Sequence, residues 1–328
     1  MAAAGSLLLA FGAASVPLLS AGRVLCGVAL GLAMAVGSSW LKELSQPPYD
    51  PAPRAGTGAR RSAMSLTGGF AVGAGVAGSL AQWAPWPNSL AYLINVALCV
   101  VAAAWVARVP ETVLPHPNPG RLRDDLRIPV AGHRRFRSVA VPVAMWLFAS
   151  AATAYAVLPT LMAPHVRGAS IAFSALITVI TLSCGFAIQS VARRIDRPRT
   201  ARAAAVSLSL VVCGMAAAAL ASHLLTLWAT VATAVILGAG YGIGMVAGLQ
   251  EIERIARPDD LAGLTAVFYS VSYLGFAVPA VLAFLHQTAG IGYPPMFAFG
   301  ALAAALCLAV VARNYHDRSA IPADDLLH

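Results

Sequence analysis

Residues 21–44 read AGRVLCGVALGLAMAVGSSWLKEL, and the fold turns on this stretch. It holds one charge, Arg23, near its start, no other until Lys42, and three glycines at Gly27, Gly31 and Gly37. A charged side chain in hydrocarbon costs at least about 2.5 kcal/mol on insertion scales, so it is retained where it serves an interior. Glycines at i and i+4 share a helix face and let a second backbone approach closely. The stretch therefore predicts a helix packed inside a membrane bundle, with Arg23 aimed inward and Gly27, Gly31 and Gly37 forming a packing motif.

The surrounding composition agrees. The chain has 328 residues, 59% hydrophobic and only 11% charged, with a mean hydropathy of +0.75. A soluble domain carries about 25% charged residues. Residues 62–107, 203–250 and 261–312 contain no Asp, Glu, Lys or Arg, and each is long enough for two crossings at about 20 residues apiece. Long Ala-, Leu-, Val- and Gly-rich runs read as helices; a membrane barrel would alternate over segments of about ten residues. The expected fold class is thus an all-α polytopic membrane protein, embedded in a lipid bilayer.

Ten helices are expected, at about 2–17, 20–41, 62–84, 88–109, 138–162, 168–191, 203–222, 225–250, 261–285 and 291–312. The polar segment 110–137, which carries Arg121, Arg123, Arg127, Arg134, Arg135 and Arg137, divides them. It separates an N-terminal half-bundle of four helices (1–109) from a C-terminal half-bundle of six (138–313), followed by a tail at 314–328. Counting those at the helix ends, the loops after the second, fourth, sixth and eighth helices and the C-terminal tail carry 20 of the 22 lysines and arginines, all but Arg23 and Arg167. The positive-inside rule makes those loops, the linker and the C-terminus cytoplasmic. The same clustering assigns the net charge of +9 to topology and excludes nucleic acid as a partner. Trp83 and Trp86 mark the opposite interface.

Several chemistries are excluded. The five cysteines, Cys26, Cys99, Cys184, Cys213 and Cys307, lie in apolar segments without a CxxC pair, so neither a disulfide framework nor a zinc site is expected. With one lysine and no Gly-Lys-Ser/Thr, the chain has no phosphate-binding loop. No catalytic residues, metal or cofactor are expected.

The two halves repeat one another. Gly27, Gly31 and Gly37 in the second helix have the spacing of Gly238, Gly242 and Gly248 in the eighth. The next helices share a tetrapeptide, Gly69-Phe70-Ala71-Val72 and Gly275-Phe276-Ala277-Val278. Two matches in order, at nearly equal offsets, point to a parallel six-helix repeat of the kind found in secondary transporters. On that register the second half is complete and the first is short by two helices, which are expected upstream of Met1.

At this point the chain resembles the major facilitator superfamily, whose two six-helix halves are joined by a cytoplasmic linker. The resemblance spans essentially the whole chain. Arg23 followed by Gly27 and Gly31 resembles that family's fourth-helix signature, and GGFAVGAGVAGSL resembles its exporter motif at Gly69, Gly73 and Gly78, with Ala74 where the motif has proline and Ala77 where it has glycine. The resemblance implies a secondary transporter that moves a small molecule across the cytoplasmic membrane by alternating access, with proton-coupled export as the leading form. It also implies that the second, fifth and eighth helices line the cavity, flanked by the third, sixth and ninth.

Arg23 is the first candidate for coupling or substrate binding; its alternative is snorkelling to the interface. Tyr269 and Tyr273, at i and i+4, share a face of the ninth helix, while Tyr155 and Tyr241 sit within the fifth and eighth. Each tyrosine offers an apolar body and one hydroxyl, suited to an amphipathic substrate; ordinary packing is the alternative. No carboxylate lies deep in any predicted helix, so a proton-coupling carboxylate is expected upstream. Two other readings stay open: a truncated, non-transporting membrane paralogue, and the permease subunit of an ATP-driven system. Oligomeric state and substrate identity are not written in the sequence.

Overall fold

The computed structural model describes residues 1–12, 15–52, 57–112, 132–166, 168–195, 197, 200–256 and 261–315. Arg121, Arg123 and Arg127 of the expected linker, Arg167, and most of the expected tail lie outside the described residues. Regular structure is helical. We number the helices α1 (Ala2–Phe11), α2 (Val16–Leu32, continuing through a π-helical turn at Ala33–Gly37 into Ser38–Glu43), α3 (Thr57–Trp83) and α4 (Leu90–Val106). Then follow α5 (Phe136–His165), α6 (Ser170–Ile195), α7 (Arg202–Leu224) and α8 (Leu227–Ile255). The last two are α9 (Leu261–Tyr273, a 3-10 turn at Leu274–Ala277, and Val278–Ala289) and α10 (Tyr293–Arg313).

Six of these, α5 to α10, are long and apolar enough to cross a membrane. Ala2–Phe11, Val16–Leu32 and Leu90–Val106 are apolar but shorter. At 1.5 Å per residue the ten residues of α1 span about 15 Å, half a hydrocarbon core.

Prolines explain where the helices depart from α geometry. A proline inside a helix removes an N–H and its ring collides with the carbonyl four residues earlier. Pro142 follows a π turn at Phe136–Ala140, Pro159 one at Thr153–Val157, and Pro279 the 3-10 turn at Leu274–Ala277. In each case the threatened carbonyl, of Ser138, Tyr155 or Gly275, lies in the altered turn. The π turn of α2 at Ala33–Gly37 has no proline behind it; it coincides with Gly37.

The chain forms two compact units. Unit 1 comprises Met1–Gly120 with Ile171–Val179, and unit 2 comprises Arg121–Ser170 with Ile180–His328. The sequence places all of the sixth helix in the second half; the structure groups the first part of α6 with unit 1. The cause is local. Gln82 Oε1 of α3 accepts from the Ala172 N–H, 3.1 Å away, at the start of α6, where helix N–H groups lack intrahelical partners. Gly78 and Gly75 of α3 also leave room only for Ala175 and Val179 of α6.

Elsewhere in unit 1, α1 packs on α2 through Gly5, Gly22 and Cys26. It meets α4 through two hydrogen bonds, Ser89 Oγ to the Ala10 carbonyl (2.7 Å) and Asn95 Nδ2 to Ser6 Oγ (2.8 Å). Trp83 and Trp86 are 72% and 70% exposed.

In unit 2, α7 lies against both α8 and α10. Its buried positions, among them Ala204, Ser207, Leu208, Val211 and Met215, recur at three- and four-residue intervals, as a helix buried along one stripe requires. Ser207 Oγ donates to the Gly240 carbonyl of α8 at 2.8 Å.

Candidate substrate site

The glycines sort into two groups. In α8, a methyl group at Gly238 would strike the Thr181 carbonyl of α6, and one at Gly242 the Gly185 carbonyl. At Gly248 it would strike the Phe268 ring of α9. Gly78 meets Ala175 in the same way. By contrast, among the described residues no atom beyond the helix's own backbone lies within 4 Å of where a methyl would sit at Gly27, Gly31, Gly37, Gly69 or Gly73. The packing role expected for those five has no contact behind it among the described residues. The spacing of Gly27, Gly31 and Gly37 repeats that of α8, but no second backbone lies within 4 Å of such a methyl among the described residues.

In unit 1 Arg23 is exposed, with no hydrogen-bond or ion-pair partner among the described residues. The one buried residue of its helical segment is its neighbour Gly22, packed on Gly5 and Leu9 of α1. Arg23, Gly27 and Gly31, spaced by four, therefore share an open face of α2.

The four tyrosines come together in unit 2. Tyr241 of α8 is 2% exposed, and its phenol group lies within electrostatic reach of those of Tyr269, Tyr155 and Tyr273. Tyr155 stands in the Thr153–Val157 π turn of α5, an irregularity that recurs at functional positions. Tyr269 Oη contacts Met245 Sδ at 3.7 Å.

The hub of the cluster is a residue the sequence did not single out, Phe148 of α5. Its ring centroid is 5.1 Å from Tyr273 and 4.6 Å from Phe276, both stacked, and 6.0 Å from Tyr241. Gly275 makes this possible. A methyl there would meet the Ala149 N–H and the Phe148 carbonyl carbon, so glycine lets the 3-10 turn of α9 lie on the α5 backbone. The tetrapeptide at Gly275 was a signal for this contact, but sequence alone did not say which helix it would meet. Thr153, fully buried in the same π turn as Tyr155, has a hydroxyl with no hydrogen-bond partner among the described residues. The arrangement offers aromatic faces, several hydroxyls and no formal charge, and can bind a neutral molecule with one apolar face.

A second polar feature lies at the start of α5 and the end of α8. Arg135 Nε and Nη2 donate to the two carboxylate oxygens of Glu251 at 2.6 and 3.1 Å, and Arg254 Nη1 reaches Oε1 at 2.7 Å. In unit 1 the repeat-related end of α2 is held differently: Thr112 Oγ1 donates to Glu43, and Trp40 Nε1 to the Pro110 carbonyl at 3.2 Å. No group of three His, Cys, Asp or Glu side chains able to hold a metal occurs among the described residues.

No curated protein sequence matches the chain. Among solved structures it is similar to a variant of the E. coli fucose:proton symporter, with 18% identity and a TM-score of 0.60, over 96% of this chain and 83% of that one. At that identity the likeness is one of fold. A family model described as Major Facilitator Superfamily matches residues 1–280. A chain of apolar helices matched over most of its length by that model is a multi-pass membrane transporter rather than an enzyme, and it belongs to the Major Facilitator Superfamily.

Proposed function

We propose that the chain is a proton-coupled secondary transporter that exports a small, neutral, amphipathic molecule by alternating access. The observation that carries the substrate class is the grouping of Tyr155, Tyr269 and Tyr273 about Tyr241, with Phe148 packed on Tyr241 and Tyr273, hydroxyl-bearing and uncharged, within helices of unit 2. The proton is favoured by the structural neighbour, whose name couples a sugar to a proton. Export is favoured by the likeness of Gly69, Gly73 and Gly78 to the exporter motif. Arg23, which shares the predicted helix 20–41 with Gly27 and Gly31, is the coupling residue of this reading. The reading keeps the division of the helices into halves of four and six, of which α5 to α10 are long and apolar enough to cross a membrane. The residue 110–137 linker and the C-terminal tail face the cytoplasm, as the arginine distribution requires.

The test is transport by the full chain reconstituted in vesicles, run on a panel of neutral amphipathic compounds with and without an imposed proton gradient. Gradient-driven flux that Arg23→Ala abolishes at equal protein level supports the reading. Flux indifferent to the gradient overturns proton coupling, and near-normal flux in Arg23→Ala overturns the role of Arg23.

A further inference from the structure

Unit 2 carries a basic cluster that the transport reading does not use. Arg134 Nη2 donates to Asn314 Oδ1 at 3.3 Å, and the Ala201 N–H donates to the Tyr315 carbonyl at 2.8 Å. These two bonds bring the start of α5, the start of α7 and the end of α10 to one point. Arg134, Arg202 and Arg313 flank the bonded residues. All three are exposed, and none has a carboxylate partner among the described residues. The contrast with neighbouring Arg135 is informative, because Arg135 is buried and fully engaged by Glu251.

The second observation is the surface that leads away from the cluster. On α10 the exposed residues Phe299, Leu302, Leu306 and Val310 recur at three- and four-residue intervals, and the next step of the same face is Arg313. On α7 the exposed face that starts at Arg202 continues through Ser209, Cys213, Ala216 and Leu220 to Leu224. The two helices pack against each other. Each therefore presents a largely apolar stripe about 20–30 Å long at 1.5 Å per residue, and each stripe ends in an exposed arginine at the same end of the unit.

From this pairing we infer that Arg134, Arg202 and Arg313 form a binding site for the headgroup of an anionic phospholipid, whose acyl chains lie along the exposed stripes of α7 and α10. The guanidinium groups suit a phosphate, which Arg can hold through two parallel hydrogen bonds. Asn314 fixes Arg134 and so reduces the ordering needed on binding. A zwitterionic lipid would fit the stripes equally but would bring its own cation to three arginines. Basic pockets between transmembrane helices recognise anionic headgroups by this chemistry.

The test is lipid retention by the purified full chain, measured by native mass spectrometry after exposure to phosphatidylglycerol or phosphatidylcholine. The site predicts preferential retention of phosphatidylglycerol, weakened roughly fivefold for each arginine removed in Arg134→Gln, Arg202→Gln and Arg313→Gln. Arg108→Gln, which removes an exposed arginine of unit 1, should leave retention unchanged. Equal retention of the two lipids by the wild-type chain overturns the proposal, as does an unchanged preference in the triple variant. A wild-type measurement guards against misfolding of the variants. A photoactivatable phosphatidylglycerol should label peptides of α7 and α10 above the other helices, and uniform labelling of all helices likewise overturns the site.

Discussion

Arg135 and Glu251 stand 116 positions apart in the chain and meet in a two-pronged ion pair, with both side chains less than one-tenth exposed. Arg254, one helical turn beyond Glu251, adds a third contact to the same carboxylate. Each charge has been removed from water, so the desolvation cost is recovered only while all partners are present.

Removal of the carboxylate should therefore be costly. Glu251→Ala leaves Arg135 buried without a counter-charge, and a loss of about 3–5 kcal/mol is expected. Replacing both partners by apolar residues, Arg135→Met with Glu251→Met, should cost much less than Glu251→Ala alone. Thermal unfolding of the purified chain in detergent checks both, and equal losses in the two variants would count against a buried ion pair.

The two glycine motifs should respond in opposite ways to the same substitution. Gly242→Ala places a methyl against the Gly185 carbonyl and should destabilise by about 1–3 kcal/mol, because α6 and α8 must move apart. Gly27→Ala enters open space and should stay within about 0.5 kcal/mol. Thermal midpoints of the two variants, measured side by side, separate a packing glycine from one that merely repeats its spacing.

Phe148 connects α5, α8 and α9 through three ring contacts. Phe148→Ala should lower stability by about 3–5 kcal/mol and disturb transport through the fold. Tyr273→Phe keeps the stacked ring and removes only the hydroxyl. It should leave the unfolding midpoint nearly unchanged while raising the apparent KM for a hydroxyl-bearing substrate. A variant whose KM and midpoint both match wild type would remove Tyr273 from the substrate site.

The Ser207 hydrogen bond to the Gly240 carbonyl is a smaller term. Hydrogen bonds between membrane helices average about 0.6 kcal/mol, so Ser207→Ala should cost no more than about 1 kcal/mol. Ser207→Val should cost more than Ser207→Ala, because the space between Ser207 and Gly244 is so narrow that even a methyl on Gly244 would fall 2.7 Å from the serine oxygen. Midpoints measured in detergent rank the two.

Much of the fold was legible because membrane helices are written in one dimension. Charge-free runs, the prolines Pro142, Pro159 and Pro279, and the placement of arginines are local features that need no knowledge of neighbours. The irregular turns could have been read too, since each proline threatens a carbonyl four residues back. The candidate site was legible only in part. Tyr269 and Tyr273 share a face by helical arithmetic, but the meeting of Tyr155 and Tyr241 with them depends on three helices packing in one arrangement. Phe148 carries no motif, and only the approach of Gly275 to the α5 backbone makes it central.

The same limit applies to Gly27, Gly31 and Gly37. Their sequence spacing is that of Gly238, Gly242 and Gly248, and the sequence assigned both sets to packing. By itself the sequence determined the all-helical, membrane-spanning character of the chain and the candidate polar residues, because hydropathy and helical period are properties of a single strand. Tertiary structure alone decided which glycine face is occupied, which arginine of the adjacent pair Arg134 and Arg135 is buried, and which phenylalanine packs on Tyr241 and Tyr273. Each is a question of what lies opposite a side chain, and that is set by distant segments meeting in space.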